Sequence, residues 1–239
     1  MIILFILLGL LPSFAWLFFF LREDVHPEPK KMIAKVFFLG ALSTAVVITL
    51  QIFLQNILQV IRIENYDPIS FFFFGITEEI FKFLAAYIVI RKSRCFDEPI
   101  DAMIYMIVAS LGFAAVENVA VMANVSVVSE AFGIITLRFV GATLLHALAS
   151  GIVGYYWARG IILSRRIKIQ TEPICHLYGA QPKLLLFKGI VFATLLHMIF
   201  NSLIVVSKDI IIYPTIFLII TALLVFWDFE RIKGSAQKS

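Results

Sequence analysis

Polar and ionisable side chains interrupt four otherwise apolar runs of this sequence. They are Glu78, Glu79 and Lys82 in the first run, Glu117 and Asn118 in the second, His146 in the third, and His197 with Asn201 in the fourth. Carboxylates and imidazoles are the groups that exchange protons, ligate divalent metals and polarise carbonyls. At the centre of a membrane helix an ionised residue costs at least ~2.5 kcal/mol on insertion scales, so several of them together point to a site. The plainer alternative is a structural ion-pair network that fixes helix register. Glu78 and Lys82 stand i,i+4, so Lys82 is expected to neutralise Glu78 and leave Glu79 as the catalytic base. His197 and Asn201 share the same spacing, which presents an imidazole and an amide donor on one helix face.

The surrounding chain must hold these groups in a bilayer. Of 239 residues, 61% are hydrophobic and 15% charged, and the mean hydropathy is +0.97; soluble domains are nearer half apolar and a quarter charged. Apolar runs at 1–21, 36–60, 69–90, 100–123, 134–157, 184–206 and 210–227 predict about seven transmembrane helices. The fold class is therefore an all-α polytopic bundle. A single integral-membrane domain spans 1–239, with its catalytic core within 69–206, and no inter-span stretch approaches an independent soluble domain. The first run lacks a basic start and a small-residue cleavage site, so it reads as a span and not as a signal peptide.

Lys and Arg gather in segments 22–35, 91–94, 159–183 and 228–239, whereas the opposite side holds only Arg62 and Lys208. The positive-inside rule then puts the N-terminus outside and the C-terminus in the cytoplasm. The net charge of +4 is accounted for by these loops and calls for no nucleic-acid partner. Cys95 and Cys175 form no CxxC pair and are expected to be reduced thiols. Pro99 marks the start of the fourth span, and Pro214 is placed to kink the seventh. Residues 125–132 read as an outer connector and 161–181 as the longest cytoplasmic loop.

At ~1.5 Å per residue, Glu79 lies ~15 Å, His197 ~14 Å, His146 ~18 Å and Glu117 ~9 Å below the outer edge of their spans. Four helices running in alternate directions thus bring acids and imidazoles to one layer in the outer half. The stretch Ala142-Thr143-Leu144-Leu145-His146 recurs as Ala193-Thr194-Leu195-Leu196-His197, and both copies end on a histidine of that layer. The small residues Ala147, Ser150, Gly151 and Gly154 read as close helix packing, and Arg138 as a snorkelling interface residue. No HExxH, Gly-Asp pair of the presenilin type or GxSG is present.

The ordered series Glu78-Glu79-x-x-Lys82, Phe96-Asp97-Glu98-Pro99-Ile100-Asp101, Gly112-Phe113-Ala114-Ala115-Val116-Glu117-Asn118, His146 and His197-x-x-x-Asn201 resembles the PrsW family of intramembrane proteases. The motif order is similar to that of the type II CAAX prenyl endopeptidases. The resemblance runs from about Glu78 to Asn201 and implies an endopeptidase in a bacterial plasma membrane. It would cleave a single-span, membrane-anchored substrate, such as an anti-sigma factor, near its extracytoplasmic side. Glu78 and Glu79 match the family's glutamate pair, Glu117 its second-motif glutamate, and His146 and His197 its histidines; Asn201 completes the expected catalytic set. Ala102 stands where the family usually has Gly, and a Tyr after the second motif is missing.

Two chemistries fit those residues. His146, His197 and Glu117 could hold Zn²⁺ with one position open to water, or Glu79 could activate water while His197 and Asn201 stabilise the oxyanion. A rival from another class is a proton- or ion-coupled transporter using the same relay, although paired helix breaks in two equivalent halves are absent. A non-catalytic scaffold keeping a structural ion cluster is the third reading.

Overall fold

The computed structural model describes residues 2–24, 26–91, 93–170, 180–207 and 211–236. Eight α-helices account for nearly all of them: α1 Ile2–Phe20, α2 Lys30–Val60, α3 Pro68–Ile90, α4 Asp101–Met122, α5 Val128–Val140, α6 Ala142–Gln170, α7 Ala180–Ser207 and α8 Ile212–Ala236. Six segments are long and apolar enough to cross a membrane, with α5 and α6 together forming one of them. Helix α3, with 23 residues, is also long enough. Lys233 near the end of α8 pairs with Glu23 just after α1 at 3.0 Å. The two helices therefore end at one face, which requires an odd number of crossings and makes α3 the seventh.

Local chemistry sets the helix ends. Asp67 caps α3 by accepting a hydrogen bond from the Ile69 amide at 2.8 Å, with Pro68 at the first helical position. Asp101 Oδ2 accepts from the amides of Asp97 (3.0 Å) and Glu98 (2.8 Å), folding the Phe96–Asp101 motif over the start of α4. Helix α4 is the axis of the bundle: from Asp101 to Ala115 every residue is buried, against α1, α2, α3 and α6. A helix apolar and covered all round belongs at a bundle's centre.

Two expectations are corrected. The run 134–157 is not one helix, because the chain breaks at Gly141 (φ −105°, ψ −99°), and α5 begins inside the expected connector. A Cβ at Gly141 would stand 2.6 Å from the Leu137 carbonyl oxygen, so glycine permits the break, and Trp16 Nε1 donates to the nearby Phe139 carbonyl at 2.8 Å. Much of the loop expected at 161–181 is helix, since α6 runs to Gln170 and α7 starts at Ala180. Cys175 and Lys208 lie outside the described residues; Cys95 is a free thiol.

Candidate active site

The side chains singled out in four helices, Asn201 excepted, meet. Glu79, on α3, is fully buried and accepts three hydrogen bonds. Its Oε1 lies 2.8 Å from Lys82 Nζ and 3.0 Å from His197 Nε2 on α7, and its Oε2 takes the hydroxyl of Ser150 on α6 at 2.9 Å. Lys82 Nζ also reaches Glu78 Oε2 at 3.2 Å and His146 Nδ1 at 2.8 Å. It lies 4.7 Å from the centroid of the Phe113 ring. Three donors on one ammonium are thus matched to three acceptors, the condition under which a buried charge is tolerated.

Glu78 is held differently. Its Oε1 takes a hydrogen bond from Gln51 Nε2 on α2 at 3.1 Å, and its side chain is 14% exposed, against 0% for Glu79. Lys82 therefore pairs with both glutamates and more closely with Glu79, contrary to the expectation that it would release Glu79 for catalysis. On a helix i,i+3 is as close as i,i+4, so Lys82 reaches Glu79 as readily as Glu78.

On the far side of His146, Nε2 meets Glu117 Oε2 at 2.7 Å. Glu117 is 33% exposed, and its Oε1 lies 3.2 Å from Arg138 Nη2. Arg138 Nε donates to Asn118, whose amide donates to Thr143 Oγ1 at 3.0 Å. The two histidine rings stand 5.1 Å apart. Asn201, one turn beyond His197 on α7, is half-buried and takes no part in these contacts. Gln51, Ser150 and Arg138 are the residues the sequence reading did not assign to the site. Gln51 carried the available signal, a polar amide inside an apolar run. Ser150 resembled helix packing and Arg138 an interface residue.

Glu78, His146 and His197 each offer a ligand atom within 4.8 Å of the others. Glu78 Oε2 is 3.6 Å from His146 Nδ1 and 4.0 Å from His197 Nδ1; ligand atoms about 2.0–2.1 Å from a tetrahedral zinc ion stand about 3.3 Å apart. The second nitrogen of each ring meets a carboxylate, Glu117 for His146 and Glu79 for His197, as metal-binding imidazoles require for orientation. The donor set therefore fits a divalent metal. In such a set Glu78 would be the third donor, and Glu117 would back the His146 ring. A metal drawing on His146 Nδ1 would displace the Lys82 ammonium from that atom.

The Phe96–Asp101 motif lies at the other end of α4, ~24 Å of helix rise from Glu117. Besides the Asp101 cap, Tyr105 donates its hydroxyl to Glu28, His26 pairs with Glu98 at 2.8 Å, and Phe96 packs on Trp157. Its contacts are those of a helix start locked to the α1–α2 connection.

Known proteins match this chain over most of its length. A family described as PrsW family intramembrane metalloprotease matches residues 28–227. Protease PrsW of Oceanobacillus iheyensis is 32% identical over 151 residues, 62% of this chain and 65% of that protein. Protease PrsW of Bacillus subtilis is 28% identical over 167 residues, 68% of this chain and 71% of its own. Protease PrsW of Shouchella clausii is 24% identical over 232 residues, 95% of both chains. The matched stretch thus spans just under two thirds of the Oceanobacillus protein. No solved structure matches the chain.

Proposed function

The chain belongs to the PrsW family of intramembrane metalloproteases, and from that premise we propose that it is a multi-pass endopeptidase of a bacterial plasma membrane that hydrolyses a peptide bond of a membrane-anchored protein. The observation that carries the mechanism is the contrast between its two adjacent glutamates. Glu79 is sealed by Lys82, His197 and Ser150, whereas Glu78 has an exposed edge and a single amide from Gln51 on its outer oxygen.

Glu78 Oε1 takes the proton of a water, whose oxygen attacks the scissile carbonyl carbon, and then returns that proton to the leaving amide nitrogen, while Oε2 stays with Lys82 and the two histidines. Glu79 holds Lys82 and His197 in place from beneath, and Lys82 balances the charge of the pair. Asn201, half-buried one turn from His197, donates to the oxyanion from its amide. Glu78, His146 and His197 would hold a divalent metal, which when bound acts as a Lewis acid on the carbonyl and makes water more acidic. Glu117 fixes the orientation of His146 by accepting from its second nitrogen.

The substrate class we infer is a single-span protein cut near its extracytoplasmic side, an anti-sigma factor being one candidate. The basic segments on alternate sides of the spans support an external N-terminus and a cytoplasmic C-terminus, which would put the glutamates in the outer half. New protein termini in membranes expressing the native chain, compared with Glu78→Gln at matched levels, test the reading. Termini clustered at the outer edge of single-span proteins and absent in the variant are expected. Identical termini in both would reject Glu78 as the base.

A further inference from the structure

At the face where α1 and α8 end, far from the glutamates, the ends of α6 and α8 and the start of α7 enclose a cavity of about 260 Å³. Two guanidiniums border it, Arg159 from α6 and Arg231 from α8, each 5.8 Å from the centroid of the Tyr155 ring. The rest of the lining is aliphatic, including Leu163, Leu185 and Ile232. Arg159 and Leu185 also border an adjoining cavity of about 580 Å³, where Lys188 stands among Phe187, Val191 and Phe192. Phe187 and Phe192 are exposed, so that wall faces the acyl chains of a bilayer.

Both guanidiniums act on a single acid, Asp228, at longer range than an ion pair. Among the described residues neither Arg159, Arg231 nor Lys188 makes an ion pair; the acid nearby is Asp228, which takes a hydrogen bond from Tyr155. Three cations against one carboxylate leave an excess of positive charge at the edge of a cleft between transmembrane helices. The wall beside it is apolar. A guanidinium pair matches the oxygens of a phosphodiester, and basic pockets between membrane helices are where anionic lipid headgroups are recognised.

We propose that the cleft between α6, α7 and α8 is a binding site for one anionic phospholipid. Its phosphate is bridged by Arg159 and Arg231, with Lys188 at the rim, and its acyl chains lie along Phe187, Val191 and Phe192. The site joins three helices, two of which carry His146, Ser150 and His197, so its occupancy braces the bundle from the opposite face.

The test uses the full chain in detergent, examined by native mass spectrometry and thermal unfolding with phosphatidylglycerol, phosphatidylcholine or soluble glycerol phosphate added. One phosphatidylglycerol per chain is expected to be retained at least tenfold more tightly than phosphatidylcholine and to raise Tm, while glycerol phosphate alone does neither. Reading the difference between the two lipids within each variant removes any general loss of stability. In Arg159→Gln/Arg231→Gln that difference should vanish, in Arg159→Lys/Arg231→Lys it should partly return, and in Arg62→Gln on the other face it should equal that of the native chain. Equal retention of both lipids, an undiminished preference in the double glutamine variant, or an equal loss in Arg62→Gln overturns the site. An equal response to glycerol phosphate makes it a soluble-anion site and overturns the lipid assignment.

Discussion

Ser150 on α6 donates its hydroxyl to Oε2 of Glu79 on α3 at 2.9 Å, and both side chains are fully buried. It is the only hydrogen bond to that oxygen among the described residues; the other oxygen carries Lys82 and His197. Hydrogen bonds to charged groups are the strong ones, and an unpaired buried acceptor pays its full desolvation cost. Ser150→Ala should therefore destabilise the protein by about 2 kcal/mol, read as a lower Tm, and reduce cleavage without abolishing it. A variant with native Tm and native cleavage would show that the hydroxyl is dispensable to Glu79.

The two glutamates should separate when each is changed to glutamine. Glu79→Gln removes the closest counter-charge of a buried ammonium, and breaking such a pair costs about 3–5 kcal/mol, so activity and thermal stability fall together. Glu78, at 14% exposed, has solvent to compensate the change, and Glu78→Gln should lose cleavage at near-native Tm. The reverse pattern would return the base role to Glu79.

Much of this arrangement is legible in the sequence. Span positions and the meeting of Glu78, Glu79, Glu117, His146 and His197 follow from hydropathy and from the cost of charge in lipid, which leaves few reasons for an acid to be there. The break at Gly141 was not legible, because an apolar run reads the same whether one helix or two cross it. Nor was the sharing of Lys82, since spacing allows both i,i+3 and i,i+4 and only rotamers choose. Ser150 and Gln51 escaped because small or neutral polar residues in a membrane helix usually pack or bond to their own backbone. The resemblance to a family rests on motif order, which no periodicity contains.

Gly112, which opens the motif that ends at Asn118, is a packing residue. A Cβ there would stand 2.0 Å from the Phe37 carbonyl oxygen on α2, and one at Gly40 would stand 2.1 Å from the Ala109 carbonyl oxygen on α4. The two glycines let α2 and α4 touch backbone to backbone. Overpacking against backbone atoms costs typically 1–3 kcal/mol and more where nothing can yield, so Gly112→Ala or Gly40→Ala should lower Tm and yield while Gly234→Ala, in open space, changes neither.

The connection between α1 and α2 should make stability depend on pH. Burial, the largest influence, raises the Glu28 carboxyl above its ordinary 4.5, and neighbouring Asp24 adds to the rise, against the hydrogen bond from Tyr105, which lowers it. Asp24 is itself raised by burial. For acids raised in the fold, the native state holds more protons than the unfolded one, so stability is greatest below the unfolded values and falls as pH rises through the folded ones. Thermal unfolding should show Tm falling as pH is raised from about 4, and Glu28→Gln should flatten that slope. A slope unchanged in Glu28→Gln would assign it elsewhere.

Metal content distinguishes the ligand set directly. Zn²⁺ needs three protein donors and a backed imidazole geometry, and Glu78, His146 and His197 meet both conditions. The purified chain, stripped with chelator and reloaded, should bind one Zn²⁺ by elemental analysis. Glu78→Gln, His146→Ala and His197→Ala should each lose it, and Asn201→Ala should keep it. Glu117→Gln, which removes only the carboxylate behind His146, should weaken binding by about 10–100-fold. Lys82 supplies the sharper contrast, because its ammonium stands 2.8 Å from His146 Nδ1 and 3.2 Å from Glu78 Oε2, and competes with a metal for both atoms. Lys82→Met should bind Zn²⁺ more tightly than the native chain while its metal-free form unfolds at a lower temperature. Zn²⁺ affinity equal in Lys82→Met and native chains would show that the ammonium and the metal do not compete, and loss of binding in Glu117→Gln as complete as in Glu78→Gln would move Glu117 into the ligand set.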